Sequence, residues 1–275
     1  MDRGQIRPLK PYDATHAALF RPGFAEDHFA IVDPNNIAAL MAEMARLAYN
    51  EDAGVRAARL AAIGFREHRV FLCGATKAFL LVSDDVAVLS FRGTGRRVYT
   101  NLIDNMLIPL RPWRAGGRAH AGFARALERA WPEIHAALQR LDLPLYVTGH
   151  SLGAALATLA ASLTPARALY TFGGPRVGDA GFAEALAGLE IHRFVHCRDL
   201  VCRVPWVWLG YRHVCHRRYI NRHGEVTNDG SRASVAADRA RAGPAARRRA
   251  GAEAVELRFR SLTDHAPINY TYALV

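Results

Sequence analysis

Cysteines are scarce in this chain, acids are outnumbered by bases, and no apolar run is long. Each shortage excludes something. Four cysteines in 275 residues (Cys73, Cys197, Cys202 and Cys215) are too few for the disulfide framework that holds small extracellular domains together. They read as free thiols, although Cys197 and Cys202 are near enough in sequence to pair. No apolar stretch approaches the roughly 18 residues needed to cross a bilayer; the longest small and apolar run, 152–163, reads as a buried helix. The first residues carry Asp2, Pro8, Pro11 and Asp13 where an export leader would be apolar. The expectation is a cytoplasmic chain without a transmembrane segment, or one exported by a route that needs no such leader. Neither an internal repeat nor a shift in composition divides the chain, so 1–275 is read as a single domain.

Lysine and arginine number 36 against 25 acids, a formal net charge of +11. The excess gathers in places such as Arg247, Arg248 and Arg249, within an alanine-rich stretch that reads as a solvated face. No aromatics are interleaved with these bases, so nucleic acid is not an expected partner. An anionic lipid surface fits better, through an attraction that salt weakens. At 51% hydrophobic residues the chain has ample material for a large core.

Residues 145–156 read Leu-Tyr-Val-Thr-Gly-His-Ser-Leu-Gly-Ala-Ala-Leu and are the most informative segment. An apolar strand stops at Gly149, Ser151 follows, and after Gly153 the composition becomes helical. A serine at a sharp strand-to-helix turn has an exposed hydroxyl beside the free N–H groups of the helix start. Side chains at 149 and 153 would collide with the crossing backbone, which explains the glycines. The bland alternative is an ordinary glycine-bounded turn.

A serine nucleophile needs a base, a group that orients the base, and donors for the oxyanion. Asp199 stands where the alternating run from Ile191 ends, at a strand's C-terminal edge, where ligands collect in open α/β sheets. His265 lies in a loop before a short terminal helix or strand. His213, His216 and His223 compete as bases, and Asp179, Asp229 and Asp264 compete as acids. Upstream, the strand 86–91 runs into Arg92-Gly93-Thr94-Gly95, where a backbone N–H and the Thr94 hydroxyl are candidate oxyanion donors together with the Leu152 N–H.

Seven short motifs now stand in order: Phe91-Arg92-Gly93-Thr94, His120-Ala121-Gly122-Phe123, Gly149-His150-Ser151-Leu152-Gly153, the run from Phe172 through Gly173, Gly174, Pro175, Arg176 and Val177 to Gly178, Arg198-Asp199-Leu200-Val201, Tyr211-Arg212-His213 and Asp264-His265. In order and spacing, from about Ile37 to the end, the chain resembles the class 3, fungal-type lipases of the α/β-hydrolase superfamily. The resemblance implies Ser151 as nucleophile, Asp199 as orienting acid, His265 as base, and Thr94 with Leu152 as oxyanion hole. It implies hydrolysis of lipid-type carboxylic esters without a cofactor. The chain departs from the pattern in its Ala/Arg-rich 232–260 segment and in Asn101, where such lipases often carry a lid tryptophan.

Periodicity predicts a helix from Ile37 after an Asn35-Asn36 cap, and another along Phe123, Leu127, Trp131, Ile134 and Leu138, kinked or restarted at Pro132. Strands are expected at 70–73, 79–82, 86–91, 145–147, 169–172 and 193–196. The fold class is therefore α/β, with a mostly parallel sheet, an antiparallel edge and flanking helices. The apolar segment after Gly95, with Val98, Leu102, Ile103 and Met106, reads either as a lid that meets lipid or as an ordinary connection; Trp206 joins it as a candidate substrate contact. His192, His196, His213 and His216 with Cys215 lack the spacing of a closed zinc site, and no metal is expected. Two other readings stay open: an esterase or phospholipase A1-type enzyme on another ester class, and a catalytically silent lipid-binding protein on the same fold.

Overall fold

The protein is described by a computed structural model over residues 11–20, 33, 35–93, 108–227, 230–243 and 259–275. Three helices come first: α1 (His16–Phe20), α2 (Ile37–Leu47) and α3 (Ala53–Ala61). The Asn36 side chain accepts from the Ala39 N–H and caps α2 as expected, and Asp52 does the same for α3. Strands β1 (Arg66–Cys73), β2 (Thr76–Val82) and β3 (Ala87–Phe91) form an antiparallel meander. A short hairpin, β4 (Leu110–Pro112) with β5 (Arg118–His120), leads into α4 (Ala121–Leu138).

The alternating half follows: β6 (Leu145–His150), α5 (Leu152–Ala161), β7 (Ala168–Phe172), α6 (Ala180–Ala185) and β8 (Glu190–His196). Beyond them lie β9 (Arg217–Ile220), β10 (Val226–Thr227), α7 (Arg232–Ala242), α8 (Arg260–Thr263) and α9 (Pro267–Leu274). Among the described residues the main sheet runs β1-β2-β3-β6-β7-β8-β9-β10, parallel from β3 to β9 and antiparallel at both edges. The six predicted strands are all present, most of them longer than predicted. The hairpin β4–β5 and the edge pair β9–β10 were not foreseen, being too short to show a period.

Side-chain alternation divides the core into two layers. Leu80, Leu89, Val147 and Leu169 face α4 and α5, where Phe123, Leu127, Trp131, Ile134, Leu156 and Leu159 pack. Phe79, Leu81, Val88, Tyr170, Phe172 and Phe194 face the other way, toward Met41, Met44 and Leu47 of α2 and Tyr270 of α9. Every residue of β2 and β7 is buried, and apart from Thr76, Lys77 and Thr171 these strands are apolar. Helix α4 passes through Pro132 as one 18-residue element. The missing N–H costs it a hydrogen bond, but the stripe from Phe123 to Ile134 buries large side chains worth about 1.5–3 kcal/mol each.

Candidate active site

Ser151 stands between β6 and α5 with φ 58° and ψ −127°, the sole non-glycine residue with positive φ among the described residues. Such a conformation costs about 1–3 kcal/mol and persists only where the surroundings over-determine it. Here they do. The Ser151 N–H donates to the Phe172 carbonyl at 3.0 Å and ties the turn to β7. A Cβ on Gly149 would lie 2.4 Å from the Gly153 carbonyl oxygen, and one on Gly153 would lie 2.2 Å from that of Phe91.

The turn delivers Ser151 Oγ to His265. The hydroxyl lies 2.9 Å from His265 Nε2, and His265 Nδ1 lies 2.8 Å from Asp199 Oδ2. A carboxylate only accepts, so Nδ1 carries the proton and Nε2 presents its lone pair to the serine. All three side chains are buried, so the Ser151 hydroxyl is not exposed as the elbow predicts. The competing groups lie elsewhere. The His213 ring bonds the Cys202 carbonyl, and Asp179 caps α6 by accepting from Phe182 N–H; Asp229 lies outside the described residues.

Several residues not singled out from the sequence hold this arrangement. Asp199 Oδ2 also accepts from the Tyr270 hydroxyl at 2.6 Å, and Oδ1 accepts from the Val201 N–H at 2.8 Å. Tyr270 stands on α9, which buries its ring against Phe172. Gly173 has φ +61°, and a Cβ there would come within 2.8 Å of Asp199 Oδ2 and 3.0 Å of His265 Nδ1. The acid and base meet only because this residue lacks a side chain.

Below the imidazole, His150 Nε2 lies 2.8 Å from the His265 carbonyl oxygen, which only accepts. His150 Nδ1 therefore accepts from the Tyr49 hydroxyl at 2.9 Å. Burial first, and then the neighbouring His265, hold the His150 pKa well below the usual imidazole value. His150 thus stays neutral, and its single N–H pins the backbone that carries the base.

Asp264, next to His265 in the chain, belongs to a different cluster. Its Oδ1 accepts from the Tyr12 hydroxyl at 2.7 Å, its Oδ2 accepts from the Arg198 N–H at 2.8 Å, and Arg260 Nε lies 3.3 Å from both oxygens. Burial alone would raise its pKa. The charges of His196 and Arg260, with hydrogen bonds from His196 and Tyr12, overcome that and bring it down to about 2.

The other expected residues fall in three groups. Leu152 opens α5 directly after Ser151, so its N–H has no acceptor within the helix. Trp206 has its ring stacked on that of Trp208 at 5.2 Å. Thr94, Asn101 and the lid residues Val98, Leu102, Ile103 and Met106 lie outside the described residues. The histidines weighed as metal ligands go separate ways: His192 to Glu190, His196 toward Asp264, and His213 to a backbone carbonyl. All four cysteines are free thiols, Cys197 and Cys202 included.

An elbow serine bonded to a histidine and an aspartate on this sheet invites comparison with known proteins. The family model for lipases of class 3 matches residues 88–208. Over that stretch the chain is similar to the class 3 lipases. A lipase of Rhizopus niveus is 35% identical over 162 residues, covering 52% of this chain and 41% of that protein. A Fusarium solani protein named secreted mono- and diacylglycerol lipase 1 is 40% identical over 111 residues, 36% of this chain and 33% of its own length. The chain thus spans less than half the length of these two curated relatives. The solved structure of lipase II from Rhizopus niveus aligns with a TM-score of 0.56 at 26% identity, over 68% of this chain and 77% of that one. The fold is that of the α/β-hydrolases, as expected. The expected cytoplasmic setting is overturned, since the Fusarium relative is named as secreted. That expectation leaned on the scarcity of cysteine and of apolar residues near the start, and neither feature decides export. Among the described residues no helix is long and apolar enough to cross a membrane.

Proposed function

We propose that this chain, read as one domain over 1–275, is a serine hydrolase that cleaves lipid-type carboxylic esters through an acyl-serine intermediate. The carrying observation is the unbroken hydrogen-bonded relay from Ser151 Oγ through His265 to Asp199, with donor directions fixed at both ends. Ser151 attacks the ester carbonyl while His265 Nε2 takes the hydroxyl proton. Asp199 holds the tautomer and stabilises the imidazolium. The Leu152 N–H, with Thr94, stabilises the oxyanion. His265 then protonates the leaving alcohol, and water regenerates the serine through the same base. The relatives' names point to acylglycerols as the substrate class. Val98, Leu102, Ile103, Met106 and Trp206 are the proposed contacts with acyl chains, and the same apolar segment would touch a lipid–water interface during turnover. The relay's completeness speaks against a silent lipid-binding protein, which has no use for an oriented imidazole.

A fluorophosphonate probe tests the reading. It should label Ser151 alone, and Ser151→Ala should abolish both labelling and ester hydrolysis while circular dichroism stays unchanged. Continued labelling of the variant, at Ser83, Ser90 or Ser162, would overturn the assignment.

A further inference from the structure

Among the described residues, five arginines and no acid line a cavity of about 400 Å³ beside β8, β9 and the 200–213 loop: Arg176, Arg193, Arg203, Arg217 and Arg239. Like charges so gathered normally bring counter-charges with them. Here none of the five pairs with a carboxylate among the described residues. Backbone carbonyls hold four of them instead. Arg193 Nε donates to Cys215 at 3.2 Å, Arg176 to Pro205 at 2.8 Å, Arg217 to Gly230 at 2.9 Å and Arg239 to Cys197 at 2.6 Å. A carbonyl orients a guanidinium without neutralising it.

A solvated basic face does not account for this, because Arg193 is only 7% exposed and Arg217 Nε is buried with no partner among the described residues. Burial first, and then neighbouring arginines, hold the guanidinium pKa of Arg176 and Arg217 below the usual value. Guanidinium groups converging on one hollow match the oxygens of a phosphate, which they bind through paired N–H donors. The rim adds a second chemistry. Trp206 and Trp208 stack there, and Val207, Trp208 and Leu209 are exposed, Trp208 by 76%. An apolar collar around a cationic hollow suits a phosphate carried on a lipid, while a free phosphate would use the same arginines.

We infer that this cavity is a binding site for a phosphate-bearing ligand, with the anion seated among Arg176, Arg193, Arg203, Arg217 and Arg239. The site stands whether or not Ser151 is a nucleophile. It also borders the relay: Cys202 lines the cavity, and its Sγ lies 3.9 Å from the hydroxyl of Tyr270, the donor to Asp199.

The test uses the whole chain at constant ionic strength, with calorimetric titration of inorganic pyrophosphate and co-sedimentation with phosphatidylglycerol vesicles. The paired substitution is Arg203→Gln, at an exposed position, with Arg217→Gln, at a half-buried one. Arg140→Gln with Arg167→Gln removes the same charge from exposed positions elsewhere. Circular dichroism and thermal midpoints establish that both variants fold. Pyrophosphate binding at one site per chain, weakened at least tenfold by the cavity pair and less than twofold by the remote pair, supports the site with a free phosphate as ligand. The same pattern on vesicles alone supports it with a lipid headgroup as ligand. Equal weakening by the two pairs, or binding of neither probe, would overturn the inference.

Discussion

Two buried carboxylates flank the same histidine and do opposite work. Asp199 accepts from His265, Tyr270 and the Val201 N–H, all neutral donors at rest. Asp264 accepts from Tyr12 and the Arg198 N–H, with Arg260 alongside as a permanent cation. Asp264 is therefore neutralised before any reaction begins. Asp199 keeps an uncompensated negative charge within reach of the one ring that becomes positive during catalysis. A buried acid beside a histidine is not thereby a catalytic acid; the charge of its other partners decides.

The largest expected effect breaks the Asp199 side. Asp199→Asn should leave the circular dichroism spectrum intact yet lower kcat by about 10³–10⁴, because the imidazole loses both its tautomer and its counter-charge. Asp264→Asn should do the reverse. It strips the buried Arg260 of its partner and should cost about 3–5 kcal/mol of stability, while kcat of the folded fraction changes by less than about tenfold. If Asp264→Asn crippled turnover at unchanged stability, the two roles would have to be exchanged.

Acid sharpens the contrast. With its folded pKa near 2 against an ordinary value of 3.8, Asp264 contributes stability that is present above about pH 4 and lost as the pH falls toward 2. A thermal midpoint series should show this slope in the native protein and a flatter one in Asp264→Asn. The smallest effect belongs to Tyr270→Phe, which removes one donor from Asp199 and leaves the imidazole bond in place. It should lower kcat about tenfold with little change in KM, in line with a hydrogen bond to a charged group.

Much of this was legible in the chain because it is local. The elbow at Ser151 is spelled within five residues, Asn36 announces α2, and Asp199 and His265 follow in the order an α/β-hydrolase requires. What stayed hidden depends on residues far apart. Tyr49 meets His150 across 101 positions and Tyr270 meets Asp199 across 71, and neither contact leaves a period. Pro132 does not restart α4, whose packing carries one helix through it, a tertiary effect on a local rule. The basic excess drew attention to Arg247, Arg248 and Arg249, whereas the arginines that converge come singly from β8, β9, α7 and two loops. Charge in a composition says nothing about which bases will face one another.

The relay closes over long stretches of chain, Ser151 and His265 being 114 residues apart and Asp199 and His265 66, and in the neighbouring cluster Tyr12 reaches Asp264 across 252. Every such closure sets loop entropy against a few hydrogen bonds, whereas the β6–α5–β7 unit assembles from near neighbours and forms without them. Secondary structure is thus a poor proxy for competence in this protein. On refolding, recovery of hydrolysis is expected to lag the far-ultraviolet signal, because the base reaches the serine only after these closures.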